Sequence, residues 1–140
     1  MNTESIVIER TYDAPIAAVW DAITDLDKLN QWFFKLEAFE PKVGFAFHFS
    51  GNDNGTIVTH ECVVKEIIEG KKVTYSFIYK GYPQESLVEW ELFPEGDQTR
   101  LVLTHSNLAE IAKGSPMFAH EKFNGGWTYL TNKLGEYLIK

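Results

Sequence analysis

Residues 85–107 read ESLVEWELFPEGDQTRLVLTHSN, and the alternation on either side of the central PEGDQ decides the fold. Val88, Trp90 and Leu92 occupy every second position before the turn, and Leu101, Leu103 and His105 do so after it. Successive strand side chains point to opposite faces, so each set lies on one face of a sheet. The positions between them, Glu89, Glu91, Arg100, Val102 and Thr104, are mostly polar. An antiparallel hairpin with one side in water has this pattern.

Working outward, the period of two extends from about Glu37 to Asn107, broken by turn signals at EPKVG, SGNDNG, IEGKK, YKGYPQ and PEGDQ. That spacing predicts about six strands. Phe45, Phe47 and Phe49 join the apolar face, as do Val73, Tyr75, Phe77 and Tyr79, with Lys72, Thr74 and Ser76 on the polar side. Upstream, ESIVIERTY is rich in β-branched residues and reads as a first strand. In APIAAVWDAITD, Ile16, Val19, Trp20 and Ile23 recur at helical spacing behind Pro15, and after the capping pair Thr24-Asp25 a second short helix carries Leu26, Leu29, Trp32 and Phe33. AKGSP ends the strands, and a last helix is predicted from about Met117 to the C-terminus. With no internal repeat or linker, the expectation is one α+β domain over residues 1–140: a strand, two short helices, an antiparallel meander and a long helix across it.

Composition narrows the partners. The 13 basic and 20 acidic residues leave a net charge of −7, which repels phosphate backbones and anionic lipid surfaces, so no nucleic acid partner is expected. No segment approaches the length of about 20 apolar residues that crosses a membrane, and the N-terminus has no signal-peptide pattern. A single cysteine, Cys62, precludes an internal disulfide, and the expected compartment is the cytoplasm.

Three stretches, APIAAVWDAITDLDKLNQWF, SLVEWELFPEGDQTRLVLTHSNL and GGWTYLTNKLGEYL, resemble segments of the SRPBCC (START/Bet v 1-like) superfamily. Within it they are most similar to the AHSA1 family, named after the C-terminal domain of the activator of Hsp90 ATPase. The resemblance covers nearly the whole chain in order. It implies a helix-grip fold, with a curved seven-stranded antiparallel sheet, two short helices, and the long C-terminal helix over a cavity. It also implies binding of a small hydrophobic molecule, with cyclase or aromatase chemistry in some members and a chaperone partner through the family name alone. Hsp90 activators carry a further N-terminal domain, for which 140 residues are expected to leave no room.

No G-x-S-x-G, H-E-x-x-H, P-loop or G-x-G-x-x-G pattern occurs, so neither catalytic motif, cofactor nor metal is expected. His60 and Cys62 share a strand face, with His48 nearby, but two ligands fall short of a metal site. GNDNG reads as a hairpin turn, and Glu89 with Glu91 as solvated sheet exterior. The candidate ligand-binding residues are therefore the aromatic face, Phe45, Phe47, Phe49, Tyr75, Phe77, Tyr79 and Trp90, with His105 at its end. His105 is able to act as an acid or base near neutral pH, or to be a buried histidine bonded to backbone or to Tyr79. From the last helix come His120, Phe123 and Trp127, on one stripe of the helix. Gly125 and Gly126 interrupt that helix beside Trp127, Leu130, Leu134, Tyr137 and Leu138. Close backbone approach is the favoured explanation and a hinge the alternative.

Overall fold

The computed structural model describes residues 5–33, 35–53, 56–79, 85–107 and 120–139. Strand β1 (Ile6–Tyr12) leads into helices α1 (Ile16–Thr24) and α2 (Leu26–Trp32). Strands β2 (Ala46–Asp53), β3 (Thr56–Ile68), β4 (Lys72–Tyr79), β5 (Glu85–Glu95) and β6 (Gln98–Ser106) follow, and helix α3 (His120–Leu138) ends the fold. All strands form one antiparallel sheet in the order β1-β6-β5-β4-β3-β2, so the meander closes with its last strand beside the first. Asp25 caps α2, its carboxylate accepting from Lys28 N at 3.1 Å. None of the described helices is long and apolar enough to cross a membrane.

The helix-grip fold is present, with six strands among the described residues where seven were expected. The difference lies just before EPKVG. A strand at 37–39 needs its backbone paired to a neighbour, but Asn30 takes hold of the chain first. Its side chain accepts from Leu36 N at 2.7 Å and donates to Leu36 O at 3.1 Å. Leu36 and Phe39 then turn into the core from an irregular segment, which rejoins the sheet at Gly44, whose N–H donates to Val64 O at 2.8 Å.

Alternation sorts the faces as expected, with one local exception. The described inward positions of β4, β5 and β6 are buried, while Glu89, Glu91, Arg100, Val102 and Thr104 retain solvent contact. Thr74 and Ser76, expected in water, are buried. Ser76 Oγ accepts from Val63 N at 3.1 Å, which draws that hydroxyl onto the backbone of β3, and next to Thr74 the β3–β4 register is irregular between Val64 and Glu66. At GNDNG, β2 and β3 stay paired out to Asp53 opposite Thr56, and the residues between, 54–55, lie outside the described residues.

Helix α3 lies against β1 and the short helices through Trp127, Leu130 and Leu134, all buried, with Tyr137 and Leu138 half-buried. The Tyr12 hydroxyl donates to Thr131 O at 2.7 Å, pinning strand to helix. This geometry overturns the close-approach reading of Gly125 and Gly126. Both are exposed, and among the described residues a Cβ at either meets nothing within 4 Å. Close approach occurs one helical face away, where a Cβ on Gly135 would stand 3.2 Å from Tyr12 Cε1. Because its hydroxyl is held, the Tyr12 ring has little freedom to yield. Gly125→Ala and Gly126→Ala are each expected to stabilise the protein by about 0.5–1 kcal/mol, the helix-propensity gain. Gly135→Ala is expected to destabilise it, because overpacking costs about 1–3 kcal/mol; urea denaturation of the three variants checks the opposite signs.

Candidate functional site

The inner face of the sheet carries two polar nodes set in aromatic surroundings. The first joins sheet and helix. Trp127 Nε1 on α3 donates to His105 Nδ1 on β6 at 2.8 Å, and His105 Nε2 lies 2.7 Å from Ser86 Oγ on β5. An indole nitrogen only donates, so Nδ1 must be unprotonated and the neutral ring must carry its proton on Nε2. Nε2–H therefore donates to Ser86 Oγ, and the Ser86 hydroxyl donates onward to Phe77 O at 3.2 Å. The chain of three bonds has one consistent direction, and it locks His105 as the neutral Nε2–H tautomer. His105 is fully buried, as is Ser86.

The second node is Trp90 on β5, whose Nε1 donates to Tyr75 Oη on β4 at 2.9 Å. Rings link the two nodes. Trp90 meets Trp127 edge-on at 5.8 Å and Trp32 of α2 at 5.9 Å, so three indoles run from α3 through the sheet to α2. Phe77 lies between His105, at 5.1 Å, and His60, at 4.8 Å.

Beyond Trp90 lies a small void of about 10 Å³, the room of roughly one water molecule. Its sheet wall is Phe47, Tyr75 and Trp90, and its other wall is Ile23, Leu29, Trp32, Phe33, Leu36 and Phe39. The void thus sits under α2 and the segment that follows it. Where α3 meets the sheet in the described residues, Trp127 fills the space.

Of the expected site residues, Phe47, Phe49, Tyr75, Phe77, Trp90, His105 and Trp127 are buried together in one core cluster or within it. Phe45 is half-buried at the rim, its ring 6.2 Å from Phe39. The side chains of Tyr79, His120 and Phe123 lie outside the described residues. His60 and Cys62 both face inward, but His48 points out to solvent, so these three do not converge. Sequence reasoning missed Ser86, although it continues the inward series Val88, Trp90, Leu92 by one step, and a serine on such a stripe calls for a partner. Leu36 and Phe39 gave no periodic signal.

Comparison with known proteins fits this geometry. A family profile described as activator of Hsp90 ATPase homolog 1-like protein matches residues 13–139. The chain belongs to this family. AHSA1 membership spans both polar nodes and the void. Among solved structures, CalU16 from Micromonospora echinospora is 29% identical, with 96% of this chain and 75% of that one covered, at a TM-score of 0.72. MLL2253 from Mesorhizobium loti is 25% identical, with 96% of each chain covered, at 0.77. DynU16, described as a protein of the dynemicin biosynthetic locus, is 22% identical and shares the fold at 0.80; this chain spans 48% of its length. No curated protein matches significantly.

Burial determines the ionisation of the site. Desolvation, with a smaller contribution from His60, pushes the His105 pKa down to about 3, and desolvation pushes that of His60 down to about 4. In the unfolded chain both titrate near 6.5. As pH falls below about 6.5 the unfolded state takes up two protons that the native state refuses. The stability these neutral histidines carry is complete above that pH, and it is lost as pH falls toward 4 for His60 and 3 for His105. Near pH 5 the slope of unfolding free energy against pH is expected to approach about 2.7 kcal/mol per unit, two protons at about 1.36 each. Urea titrations from pH 7 to 4.5 measure it; a slope of one proton or less contradicts the account.

Proposed function

We propose that the protein binds a small apolar or aromatic molecule in the aromatic-walled interior between the curved sheet and the helices. The observation carrying this reading is the void beside Tyr75 and Trp90, whose lining holds no charged side chain. Binding there draws its free energy from apolar burial, at about 25 cal/mol per Å². His105, the residue best suited to catalysis, has both ring nitrogens engaged and stays neutral far below physiological pH, which favours binding over proton transfer. The description of DynU16 as a protein of a biosynthetic locus supports a small-molecule ligand over a macromolecular one. A cytoplasmic setting belongs to the same reading, supported by the free, buried thiol of Cys62.

At its present size the void admits no such ligand, so one wall must give. The sheet wall is tied by ladders on both sides of β4, broken in the described residues by the irregularity between Val64 and Glu66. The opposite wall is held by the Asn30 clasp on Leu36 and by ring contacts of Phe39 with Phe45 and Phe47. Entry is through displacement of Leu36 and Phe39, the less tethered side.

A screen of aromatic compounds followed by backbone amide shifts checks the assignment. A true ligand moves the amides of Trp32, Phe39, Phe47, Tyr75 and Trp90 together. A compound that moves only outer-face residues such as Val7, Glu9 and Val102 shows that the site is elsewhere.

A further inference from the structure

The Tyr75 hydroxyl has more hydrogen-bonding capacity than its surroundings use. Its oxygen receives the indole N–H of Trp90, which can only donate, and that bond leaves the phenolic proton unspent. No acceptor for that proton occurs among the described residues, although Tyr75 is 4% exposed and lines the void. The other polar side-chain atoms of the lining are committed. Trp32 Nε1 donates to Ala22 O at 2.8 Å, and Trp90 Nε1 is spent on Tyr75 itself. The void therefore presents a single donor on an otherwise apolar, largely aromatic wall. Burial raises the Tyr75 pKa far above its ordinary value, so the group remains a proton donor at any working pH.

We infer that Tyr75 selects the ligand: an uncharged, aromatic or alicyclic molecule bearing a carbonyl-type oxygen, which accepts the Tyr75 O–H bond while its hydrocarbon body displaces Leu36 and Phe39. This rests on the proposed binding site and adds the chemistry of its occupant. A charged ligand would lose its hydration with no counter-charge in the lining. A ligand that only donates would compete with Trp90 for the Tyr75 oxygen. A hydrocarbon with no acceptor would bury the phenolic proton unsatisfied. Only an acceptor completes the inventory, and the Trp90 bond polarises the phenol in the sense that strengthens its donation.

Matched probes test it: 1-tetralone and tetralin have nearly the same shape and differ by one carbonyl. Both are titrated against the full chain by tryptophan fluorescence, with amide shifts reporting the site. The inference expects 1-tetralone to bind about tenfold more tightly than tetralin, the factor expected of one net hydrogen bond. In Tyr75→Phe the two affinities should converge on that of tetralin. The carbonyl stretch of bound 1-tetralone should move to lower frequency than in hydrocarbon solvent, a readout on the wild-type chain that does not depend on the variant folding. Equal affinities with an unshifted carbonyl band overturn the role of Tyr75 while leaving an apolar site in place. Failure of both probes to reach the residues around the void overturns the inference together with the site it rests on.

Discussion

One hydrogen bond, from the indole of Trp127 to Nδ1 of His105, determines how the long helix sits on the sheet. It is a bond between a pure donor and an atom that accepts only while the imidazole is neutral. Its existence dictates the tautomer, the tautomer dictates that Ser86 accepts, and the Ser86 proton goes to the backbone of β4 at Phe77. Four elements, β4, β5, β6 and α3, are thereby held in one relative position. Apolar contact alone, being non-directional, does not specify such a position.

From that fixed point the described interior shows a packed region and a region with room to open. On the α3 side, Trp127 packs edge-on against Trp90 and His105, and Phe77 fills the adjoining space. On the α2 side the wall is made by Leu36 and Phe39 from a segment without strand pairing, and there the void remains. Tyr75 stands between them, bonded to Trp90 on the packed side and lining the void on the other. Among the described residues, the polar groups of the two nodes are spent on structure, apart from the Tyr75 hydroxyl proton at the edge of the void.

Much of the sheet was legible in the sequence because the strand period is exact enough to sort faces residue by residue. Phe47, Phe49, Tyr75, Phe77, Trp90 and His105 fell on the inner face from alternation alone. Partners were not legible. That His105 meets Ser86 follows from the β5–β6 register, in which His105 stands opposite Val88 and Ser86 is the next inward position of the neighbouring strand. Its bond to Trp127 depends on the rotation of α3, which local periodicity does not fix. The glycines show the same limit. Gly125 and Gly126 drew notice as a pair but meet nothing among the described residues, whereas the unremarked Gly135 faces Tyr12. The period-two region was expected to begin at about Glu37, but the Asn30 side chain claims the backbone at Leu36 and strand pairing starts later.

Histidine side-chain nitrogen-15 NMR tests the centre of this account most directly. The His105 ring is predicted to be a single neutral form protonated at Nε2, with a hydrogen-bonded Nδ1, and to stay so from pH 7.5 to pH 5. A ring protonated at Nδ1, or one that titrates near 6.5, would contradict it, for the Trp127 bond cannot exist with a proton on that atom.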